Sequence, residues 1–558
     1  MTSFSFPILT SAEMRLCDEA TICDGVASQI LMERAAREVA LYLLAHEDRF
    51  PDGRVLVLCG SGNNGGDGLA AARFFSDGSL GERREVDVLY AGALTGDERP
   101  DPSRMSVECA RQFALAVEAG IRIWTVQERE RALDGVAVIV DAVFGIGLCR
   151  PVSGETAALF EAVTAADIPI LSVDIPSGVN ADTGAVMGIA LRARATVTMQ
   201  ALKAGLLLYP GAEYAGVIAV RDIGIDVRVL PSRFGTLANE ALLRRVLRPR
   251  ERRSHKGTYG RVALLCGSIG MSGAAVLSAR AALRSGAGLV EVCTAEENRV
   301  VLQVAVPEAI VTTYGQAPGL GASEAGSVEA MAAVRRKVRA VIERASSVVI
   351  GCGLGQSDTA RVVLRAALDA LPRDGRIPVV LDADALNLLA EESEWWKKIP
   401  AAVRSRMVVT PHPIEMSRLT GLAVSEILAD PVGVARTYAE TAGVTVVLKD
   451  AHTVVAAPDG QVFICAAGNA GMATGGSGDV LAGMVGSLLG QVRRRLLALD
   501  DADGLTVAEA VAAGVYWHAA AGDAAALRVG EYGMMAGDMV EMIAVSARDM
   551  SLSGTVIE

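Results

Sequence analysis

Aromatic residues are scarce in this chain of 558 residues, and basic side chains do not balance the acidic ones. Only 4% of the residues are aromatic while 51% are hydrophobic, so aliphatic side chains must build the core, as in parallel α/β layers. The formal net charge is −12 at pH 7, and such a surface repels the phosphates of nucleic acid and of anionic lipid. We therefore expect neither nucleic acid nor a membrane as a partner.

Cysteine pairs, a basic leader and long apolar runs are also lacking. The nine cysteines form no CxxC pair, and Cys59, Cys266 and Cys352 each end an apolar run typical of strands. Buried reduced thiols of this kind are typical of cytosolic proteins and argue against disulfides or a zinc site. MTSFSFPILT has no basic region before an apolar segment, and no stretch of about 20 residues is apolar enough to cross a bilayer. The sequence thus predicts a cytoplasmic protein.

The length and the hydrophobic pattern predict two large α/β domains, residues 1–228 and 229–548. Apolar runs alternate with segments long enough for helices, which predicts doubly wound, mostly parallel sheets. The predicted strands lie in Arg54–Cys59, Val86–Gly92, Val136–Gly145 and Ile168–Gly178, then in Arg261–Cys266, Ser346–Gly355, Ile377–Asn387, Met407–Glu415 and Val444–Asp450. One helix, capped at Ser11, is predicted from there to about His46.

The βα pattern breaks between about Ile225 and Gly260. Residues 244–256 contain seven Lys or Arg and one proline, and we interpret them as a solvated connection between the domains. A nucleic-acid contact is the alternative, but no aromatic residues that could stack on bases are interleaved there.

The stretch GNAGMATGGSGDVLAG, Gly468–Gly483, is the most informative part of the sequence. Its glycines precede Asp479 and a helix-forming run, so backbone N–H groups and the helix N-terminus can receive phosphate oxygens. A carboxylate at that place can deprotonate an incoming hydroxyl group. The pattern predicts phosphoryl transfer, and a glycine turn with Asp479 as a simple helix cap is the alternative.

A second glycine-rich stretch, GSGNNGGDG at Gly60–Gly68, follows a strand-like run and satisfies the dinucleotide pattern GxGxxG. A ribose-binding acidic residue should then end the next strand. That strand, VDVLYAG, ends instead in Tyr90, Ala91 and Gly92. A dinucleotide fingerprint is therefore not the favoured interpretation.

Two later strand-like runs carry Asp141 and Asp174 near their ends, where open α/β sheets bind ligands. Asn64, Asp141 and the hydroxyl of Ser177 could converge as hard oxygen ligands for a cation. Asp174 would then remain available for acid–base chemistry. Each aspartate could instead cap a helix or form a turn.

Together these segments resemble two enzyme families. GSGNNGGDG, VDAVFGIG and VDIPSGVNADTG, after a helix that contains LMERAA, resemble the NAD(P)H-hydrate epimerases. HKGTYGRVALLCGSIGMSGAAVLSARAALRSGAGLV, TPHPIE and GNAGMATGGSGDVLAG resemble the ADP-dependent NAD(P)H-hydrate dehydratases, which have a ribokinase-like fold. In this order they resemble the bifunctional nicotinamide nucleotide repair enzymes, from about Ser11 to Val545.

The resemblance implies a Rossmann-like three-layer domain followed by a ribokinase-like three-layer domain. The first would interconvert the R and S hydrates of NADH and NADPH (NADHX and NADPHX). The second would return the S form to NAD(P)H while ADP becomes AMP and phosphate. The implied cofactors are K⁺ in the epimerase domain and Mg²⁺ with ADP in the dehydratase domain, and a homo-oligomer is also expected.

The resemblance also implies site residues in both domains. In the first, Asn64, Asp141 and Ser177 hold potassium, and Asp174, which lines the site, is our own candidate for the acid–base residue. The hydrated nucleotide is bound there by Asn63, Asn64, Gly65, Gly66, Asp67, Gly145, Ile146, Gly147, Leu148, Cys149, Arg150, Pro151 and Asp174. In the second, Ala274, Gly355, His412 and Asp479 bind the substrate, with Asp479 as the base, and Lys449, Asp450, Ala451, His452, Thr453 and Gly478 bind the nucleotide phosphates.

Three positions depart from the usual family sequences. Asp450 stands where glycine commonly follows the lysine of the phosphate loop, which adds negative charge and removes backbone freedom. Ile414 replaces a frequent glycine in TPHPIE, and LMERAA ends in Ala36 where glycine is common. We interpret the last two as packing changes.

Other interpretations stay open at the level of sequence. Asp382 or Asp384 could position Mg²⁺ through water or simply cap the following helix, and Lys256 could contact phosphate or belong to the connection. The chain could also be a ribokinase-superfamily small-molecule kinase with a non-catalytic amino-terminal binding domain. A first domain that is only a scaffold for a partner protein is a third possibility.

Overall fold

The chain folds into two compact α/β units that are divided between Gly235 and Thr236. The computed structural model describes residues 6–230, 233–315, 324–497 and 504–548. Within these residues, every helix is too short or too polar to traverse a lipid bilayer.

The first unit is built on a parallel sheet of seven strands. The strands of the whole unit, two of which lie outside this sheet, are β1 (Pro7–Leu9), β2 (Val55–Cys59), β3 (Val86–Tyr90), β4 (Arg122–Thr125), β5 (Val138–Ala142), β6 (Ile170–Val173), β7 (Ala195–Met199), β8 (Leu202–Lys203) and β9 (Val217–Arg221). The sheet order is β4-β3-β2-β5-β6-β7-β9, and β1 pairs separately with β8. The helices are α1 (Ser11–Cys23), α2 (Ser28–Ala45), α3 (Asn63–Asp77), α4 (Val107–Glu118), α5 (Arg129–Leu133), α6 (Gly154–Ala166) and α7 (Ala212–Ala215).

Strand β2 shows why this unit has three layers. Successive side chains of a strand point to opposite faces of the sheet. Val55, Val57 and Cys59 join the core formed with α2, α3 and α4, while Leu56 and Leu58 join a second core with α6. All five side chains are fully buried. A strand covered on both faces accounts for the continuous apolar run in the sequence.

The second unit contains a larger mixed sheet. Its strands are β10 (Gly235–Leu237), β11 (Arg261–Leu265), β12 (Leu289–Ala295), β13 (Ile310–Tyr314), β14 (Ser347–Ile350), β15 (Val379–Leu381), β16 (Met407–Val409), β17 (Thr445–Leu448), β18 (Thr453–Ala456) and β19 (Val462–Cys465). Their order is β13-β12-β11-β14-β15-β16-β17-β18-β19-β10. The pairs β17–β18 and β18–β19 are antiparallel, and the other pairs of this unit are parallel.

Helices cover both faces of this second sheet. They are α8 (Glu240–Val246), α9 (Ser272–Arg284), α10 (Arg299–Ala305), α11 (Glu324–Ile342), α12 (Asp358–Ala370), α13 (Asp384–Ala390), α14 (Ala401–Arg404), α15 (Pro413–Thr420), α16 (Val424–Ala429), α17 (Pro431–Ala442), α18 (Ser477–Leu497), α19 (Val507–Val529) and α20 (Ala536–Arg548). Val262 and Leu264 of β11 pack against α9, α18 and α19, while Ala263 and Leu265 are buried on the other face. The predicted fold class is confirmed in both units.

Two local predictions were wrong. The helix predicted from Ser11 to about His46 is two helices, because Gly25 turns the chain at φ +101° between α1 and α2. Its cap is Thr10, whose side chain accepts from the backbone N–H of Glu13. The connection predicted between about Ile225 and Gly260 contains β10 and α8, and Leu243 of α8 is buried in the core of the second unit.

Helices α9 and α18 approach each other closely at Gly483. An alanine Cβ at that position would lie 2.3 Å from the carbonyl oxygen of Ser278. The hydroxyl of Ser278 donates to the carbonyl oxygen of Asp479 at 2.9 Å. This glycine contact therefore sets the position of the first turn of α18.

We expect Gly483→Ala to lower the free energy of unfolding of the second unit by about 1–3 kcal/mol, because the added methyl group forces the two helices apart. Gly537→Ala in α20 is the matched control, since its Cβ would meet nothing within 4 Å. The control should be neutral or stabilising by up to about 1 kcal/mol. Denaturant unfolding measures both, and equal stabilities for the two variants would contradict the close packing.

Candidate active sites

The first unit contains a cavity of about 630 Å³ beside the carboxyl ends of β2, β5 and β6. The chain runs from β2 through β3 to β4 on one side and then crosses to β5 on the other side of β2, and open α/β sheets bind ligands where the strand order reverses in this way. The predicted residues that line this cavity are Asn63, Asn64, Asp67, Gly145, Ile146, Gly147, Leu148, Cys149, Arg150 and Asp174. The structure thus brings most of the predicted nucleotide-binding residues together.

Three of the predicted nucleotide-binding residues lie elsewhere. Gly65 and Gly66 are buried, and an alanine Cβ at Gly65 would lie 2.0 Å from the carbonyl oxygen of Gly60. Gly65 thus allows the preceding loop to fold closely against the first turn of α3, and Gly66 leaves room for the side chain of Met32. Pro151 is exposed and does not line the cavity.

Asp174 occupies a strained position at the end of β6. Its φ of +67° is unusual for a residue other than glycine, and such strain is concentrated at functional sites. Its Oδ1 accepts hydrogen bonds from Lys203 Nζ at 2.5 Å, from the backbone N–H of Met199 at 3.2 Å and from the hydroxyl of Thr198 at 3.2 Å. Its Oδ2 has no hydrogen-bond partner within the described residues, so this oxygen is available to a ligand.

Lys203 is a residue of this site that the sequence reasoning missed. Its side chain is 1% exposed. Its Nζ donates to Asp174, to the Thr198 hydroxyl at 3.0 Å and to the Met199 carbonyl oxygen at 2.8 Å, so all three of its hydrogens are used. A single lysine inside the apolar run ALKAGLLL was the available signal, because a buried ammonium group requires partners.

Two further carboxyl groups, those of Asp18 and Asp67, line the same cavity. Burial raises the pKa of Asp67 well above its usual range, and the charges of Asp174 and Asp18 add to the effect. Burial also raises the pKa of Asp18 to about 6, although Lys203 opposes this shift. Asp18 was not predicted from the sequence, since it lies in the middle of an ordinary amphipathic helix.

The three predicted cation ligands lie around Phe144. The Asp141 carboxylate is fully buried and accepts from the backbone N–H of Ser177 at 2.8 Å. The Ser177 hydroxyl accepts from the backbone N–H of Phe144 at 2.8 Å, and Asn64 Nδ2 donates to the Phe144 carbonyl oxygen at 3.0 Å. The carbonyl group of Phe144 is therefore a further oxygen at this place that the sequence did not indicate.

A cation fits the charge of these residues. Burial raises the pKa of Asp141, while hydrogen bonds from Ser177 and Ser172 lower it. No Lys or Arg among the described residues forms an ion pair with this carboxylate. Together with the Ser177 hydroxyl, the Asn64 amide and the Phe144 carbonyl group, this buried carboxylate offers the donor set of a hard-cation site.

The second unit gathers acidic groups and one lysine at the carboxyl ends of β14, β15 and β17. The sulfur of Cys352 and one oxygen each of Asp382 and Asp479 lie within 4.8 Å of one another. Lys449 Nζ lies 2.9 Å from Asp382 Oδ1 and 3.9 Å from Glu415 Oε2. Lys449 thus offsets part of the negative charge beside Asp479.

Asp479 lies in the first turn of α18, directly after the GGSG turn. Burial, and then the charge of Asp382, raises its pKa to about 6. Gly476 has φ +95°, which glycine adopts easily. An alanine Cβ at Gly478 would lie only 3.4 Å from Lys449 Nζ, so the missing side chain leaves space beside the lysine. The predicted base, lysine and glycine turn are therefore next to one another.

His518 contacts the backbone of the GGSG turn, and the sequence did not predict this role. Its Nε2 lies 3.0 Å from the carbonyl oxygen of Ser477. Burial lowers its pKa to about 4. The imidazole is therefore neutral at pH 7, and its Nε2–H can donate to Ser477.

Asp382 and Asp384 do not cap the helix that follows them. Helix α13 has no side-chain cap, and Ala383 between the two aspartates has the strained φ of +50°. Asp382 Oδ1 accepts from the Thr410 hydroxyl at 2.6 Å, and Asp384 Oδ2 accepts from the backbone N–H of Gly355 at 2.8 Å. Both carboxylates are directed toward the site by these partners.

The remaining predicted substrate residues lie around this cluster. His412 caps α15, and its Nδ1 accepts from the backbone N–H groups of Ile414 and Glu415. Burial lowers its pKa, and Lys449 adds to this effect. Ala274 of α9 packs closely against Gly353, which allows no larger residue there.

The predicted phosphate loop is the turn between β17 and β18. Lys449 is directed into the acidic cluster, while Asp450 and Ala451 are exposed. Asp450 is not among the residues with positive φ, so the turn does not require glycine at this position. His452 and Thr453 are partly buried. The expected loss of backbone freedom at Asp450 therefore has no structural consequence.

The two other positions that depart from the usual family sequences, Ala36 and Ile414, have different surroundings. Ala36 is fully buried in α2, as expected for a packing change. Ile414 is 52% exposed, so the interpretation as a packing change was wrong at this position.

Two family models match the chain, one in each unit. The model described as NAD(P)H-hydrate dehydratase matches residues 262–544. The model described as YjeF-related protein N-terminus matches residues 28–205.

Curated relatives match over nearly the whole length. The bifunctional NAD(P)H-hydrate repair enzyme of Moorella thermoacetica is 36% identical over 550 residues, which are 97% of each chain. The enzyme of the same name from Escherichia coli is 35% identical over 493 residues, 88% of this chain and 84% of the other. A solved ADP/ATP-dependent NAD(P)H-hydrate dehydratase from Bacillus subtilis, co-crystallised with ATP/Mg²⁺, is 27% identical with a TM-score of 0.45, over 56% of this chain and 98% of that chain.

The raised pKa of Asp479 predicts a pH-dependent cost in stability. In the folded protein its pKa is about 6 against an ordinary value of 3.8, so the folded state binds this proton more tightly. Holding the charged carboxylate destabilises the second unit above about pH 6, and the effect disappears as the pH falls toward 3.8. We therefore expect Asp479→Asn to raise the thermal unfolding midpoint at pH 8 but not at pH 4.

The matched control is Asp369→Asn, which removes the same charge from the exposed surface of α12. Its unfolding midpoint should follow that of the unaltered protein at both pH values. A difference for Asp479→Asn that grows as the pH falls would contradict the assigned cause.

Proposed function

The chain belongs to the family of bifunctional NAD(P)H-hydrate repair enzymes, and we propose that it performs both reactions of that family. In this proposal the first, Rossmann-like unit interconverts the R and S hydrates of NADH and NADPH. The second, ribokinase-like unit returns the S form to NAD(P)H while ADP becomes AMP and phosphate. The observation that carries the proposal is the position of Asp479, between the GGSG turn and the pair formed by Lys449 and Asp382.

The dehydration depends on changing a poor leaving group into a good one. The hydrate carries a hydroxyl group on the carbon beside the ring nitrogen, and hydroxide leaves poorly. Asp479, whose pKa of about 6 keeps it ionised at pH 7, accepts the hydroxyl proton as that oxygen attacks the terminal phosphorus of ADP. The electron pair of the ring nitrogen then expels phosphate, and loss of a neighbouring ring proton restores the dihydropyridine.

The surroundings of Asp479 suit this transfer. Backbone N–H groups at the start of α18 and the ammonium group of Lys449 would receive the developing negative charge on the phosphate oxygens. Mg²⁺ bound to the nucleotide would supply further positive charge. Asp382 and Asp384, which do not cap α13, are the residues that could hold its water ligands.

The epimerisation is assigned to the cavity of the first unit. Asp174 offers its unpartnered Oδ2, and Lys203 keeps the side chain in one orientation. Asn64, Asp141, Ser177 and the Phe144 carbonyl group would hold potassium, which would neutralise the buried Asp141. These features support a catalytic first unit over a scaffold or a passive binding domain.

Two properties of the whole protein are also proposed. All nine cysteines are free thiols, which supports a reducing compartment such as the cytoplasm. Association into a homo-oligomer stays a prediction.

We expect Asp479→Asn to lower the turnover of dehydration by about 10²- to 10⁴-fold, the usual contribution of a positioned base. The assay supplies the S hydrate of NADH with ADP and Mg²⁺ and follows the absorbance of reduced nicotinamide. Asp369→Asn again serves as the control and should retain full turnover. Near-normal turnover of well-folded Asp479→Asn would contradict the assigned role, and phosphorylation of an unrelated alcohol without hydrate turnover would favour a small-molecule kinase.

We expect Asp450→Gly and Asp450→Asn to lower the KM for ADP by about two- to fivefold, the usual range for removing one exposed repulsive charge. Both variants remove the charge of Asp450, and the backbone at this position does not require glycine. The decrease in the KM for ADP should therefore be the same in the two variants. Asp459→Asn, in the exposed turn that follows β18, removes the same charge from the neighbouring hairpin. The KM of this control should not change, and an effect of Asp450→Gly alone would assign the difference to the backbone instead.

A further inference from the structure

Asp18 is an acidic residue of the first cavity to which neither the sequence motifs nor the proposed reactions give a role. It lies on α1, four residues from Met14 and from Ile22, and all three line the cavity. Residues four apart lie on one face of a helix. This face of α1 therefore forms one wall of the cavity, with Asp18 at its centre.

Hydrogen bonds fix α1 over the cavity near both of its ends. The backbone N–H of Ser11 donates to Asp182 Oδ1 at 2.6 Å, and its hydroxyl donates to the same oxygen at 2.9 Å. The backbone N–H of Asp226 donates to the Thr21 hydroxyl at 3.1 Å. Asp182 belongs to the segment that follows Asp174, so the helix carrying Asp18 is connected to the strand end that carries the acid–base residue.

Lys203, the ion-pair partner of Asp174, does not supply the second proton transfer. Inversion at the hydrated carbon requires one group that gives a proton and one that takes a proton. Asp174 can take a proton at Oδ2, but all three hydrogens of Lys203 are held by acceptors of the protein. Burial raises the pKa of Asp67 well above its usual range and so favours its neutral form.

We propose that Asp18 is the second proton-transfer residue of the epimerisation and acts together with Asp174. This inference rests on the proposed epimerase function of the first unit. Burial raises the pKa of Asp18 to about 6, so both of its protonation states are accessible near neutral pH. The charged groups that line the cavity around it are Arg15, Asp67, Glu108, Arg150, Asp174 and Lys203, and Glu19 is its neighbour in the chain.

The proposed step begins with loss of water. Protonated Asp18 gives its proton to the hydroxyl oxygen as the carbon–oxygen bond breaks, and the electrons of that bond leave with the water formed. The lone pair of the ring nitrogen forms a carbon–nitrogen double bond. A water molecule then attacks the other face of the carbon, the double-bond electrons return to nitrogen, and Asp174 Oδ2 takes the released proton. One proton exchanged with solvent restores both carboxyl groups.

The test measures interconversion of the separated R and S hydrates of NADH by the full chain without ADP, so that dehydration cannot occur. Asp18→Asn is compared with the unaltered protein and with Glu161→Gln, which removes a carboxylate charge from the exposed surface of α6, away from the cavity. We expect Asp18→Asn to lower kcat by about 10²- to 10⁴-fold with little change in KM. The fall of kcat/KM above about pH 6 should be present in the unaltered protein and absent from this variant.

Dehydration of the S hydrate with ADP should be unchanged in Asp18→Asn, since that reaction belongs to the second unit. The circular dichroism spectrum and the thermal unfolding of this variant should match those of the unaltered protein, which shows that the first unit is folded. Glu161→Gln should behave as the unaltered protein. Unchanged kcat in Asp18→Asn, a change confined to KM, or retention of the alkaline limb would overturn the inference. Full retention of an ¹⁸O label on the hydroxyl group during inversion would overturn the loss of water. If the unaltered protein does not interconvert the hydrates, the proposed function itself is wrong.

Discussion

Both candidate sites depend on carboxyl groups that are held where little water reaches them. Removal from water disfavours the charged form, and burial is the first cause of the raised pKa of Asp18, Asp67 and Asp479. The same effect makes these groups useful, since a carboxyl group that titrates near neutral pH can exchange protons with a substrate. In each site one lysine offsets part of the free-energy cost of burying charged carboxylates. It is Lys203 in the first unit and Lys449 in the second.

The two units arrive at this arrangement by the same structural means. Parallel strands end at one edge of each sheet and bring residues distant in sequence to one place, as Asp141 and Asp174 show. The backbone is strained at Asp174 and at Ala383, where φ is +67° and +50°. In both cases a carboxylate at or beside the strained residue is paired with the lysine. The strained backbone and the ion pair therefore occur together, and both orient a carboxylate toward bound substrate.

The sequence predicted those parts of the fold and of the sites that local pattern determines. The apolar runs of β2, β5 and β11 are buried on both faces and were recognised directly. Strand β12 was missed because Glu291 interrupts its apolar run, and only the fold reveals that Arg344 pairs with this 1% exposed carboxylate at 2.8 Å. Lys203 was missed because its ion-pair partner, Asp174, lies 29 residues earlier in the chain. Glycine motifs are local and could be recognised, whereas ion pairs across the fold could not.

The similar pKa values of Asp18 and Asp479 have opposite consequences in the two proposed reactions. Asp479 must be ionised to take a proton, so dehydration gains as the pH rises through about 6. Asp18 must be protonated to give one, so epimerisation declines over the same interval, where its own pKa is about 6. Dehydration of the S hydrate is driven by phosphoryl transfer from ADP, and removal of the S hydrate draws the R hydrate through the first reaction. A chain with both sites can therefore tolerate a slower epimerisation at neutral pH, provided that the second site keeps the S hydrate scarce.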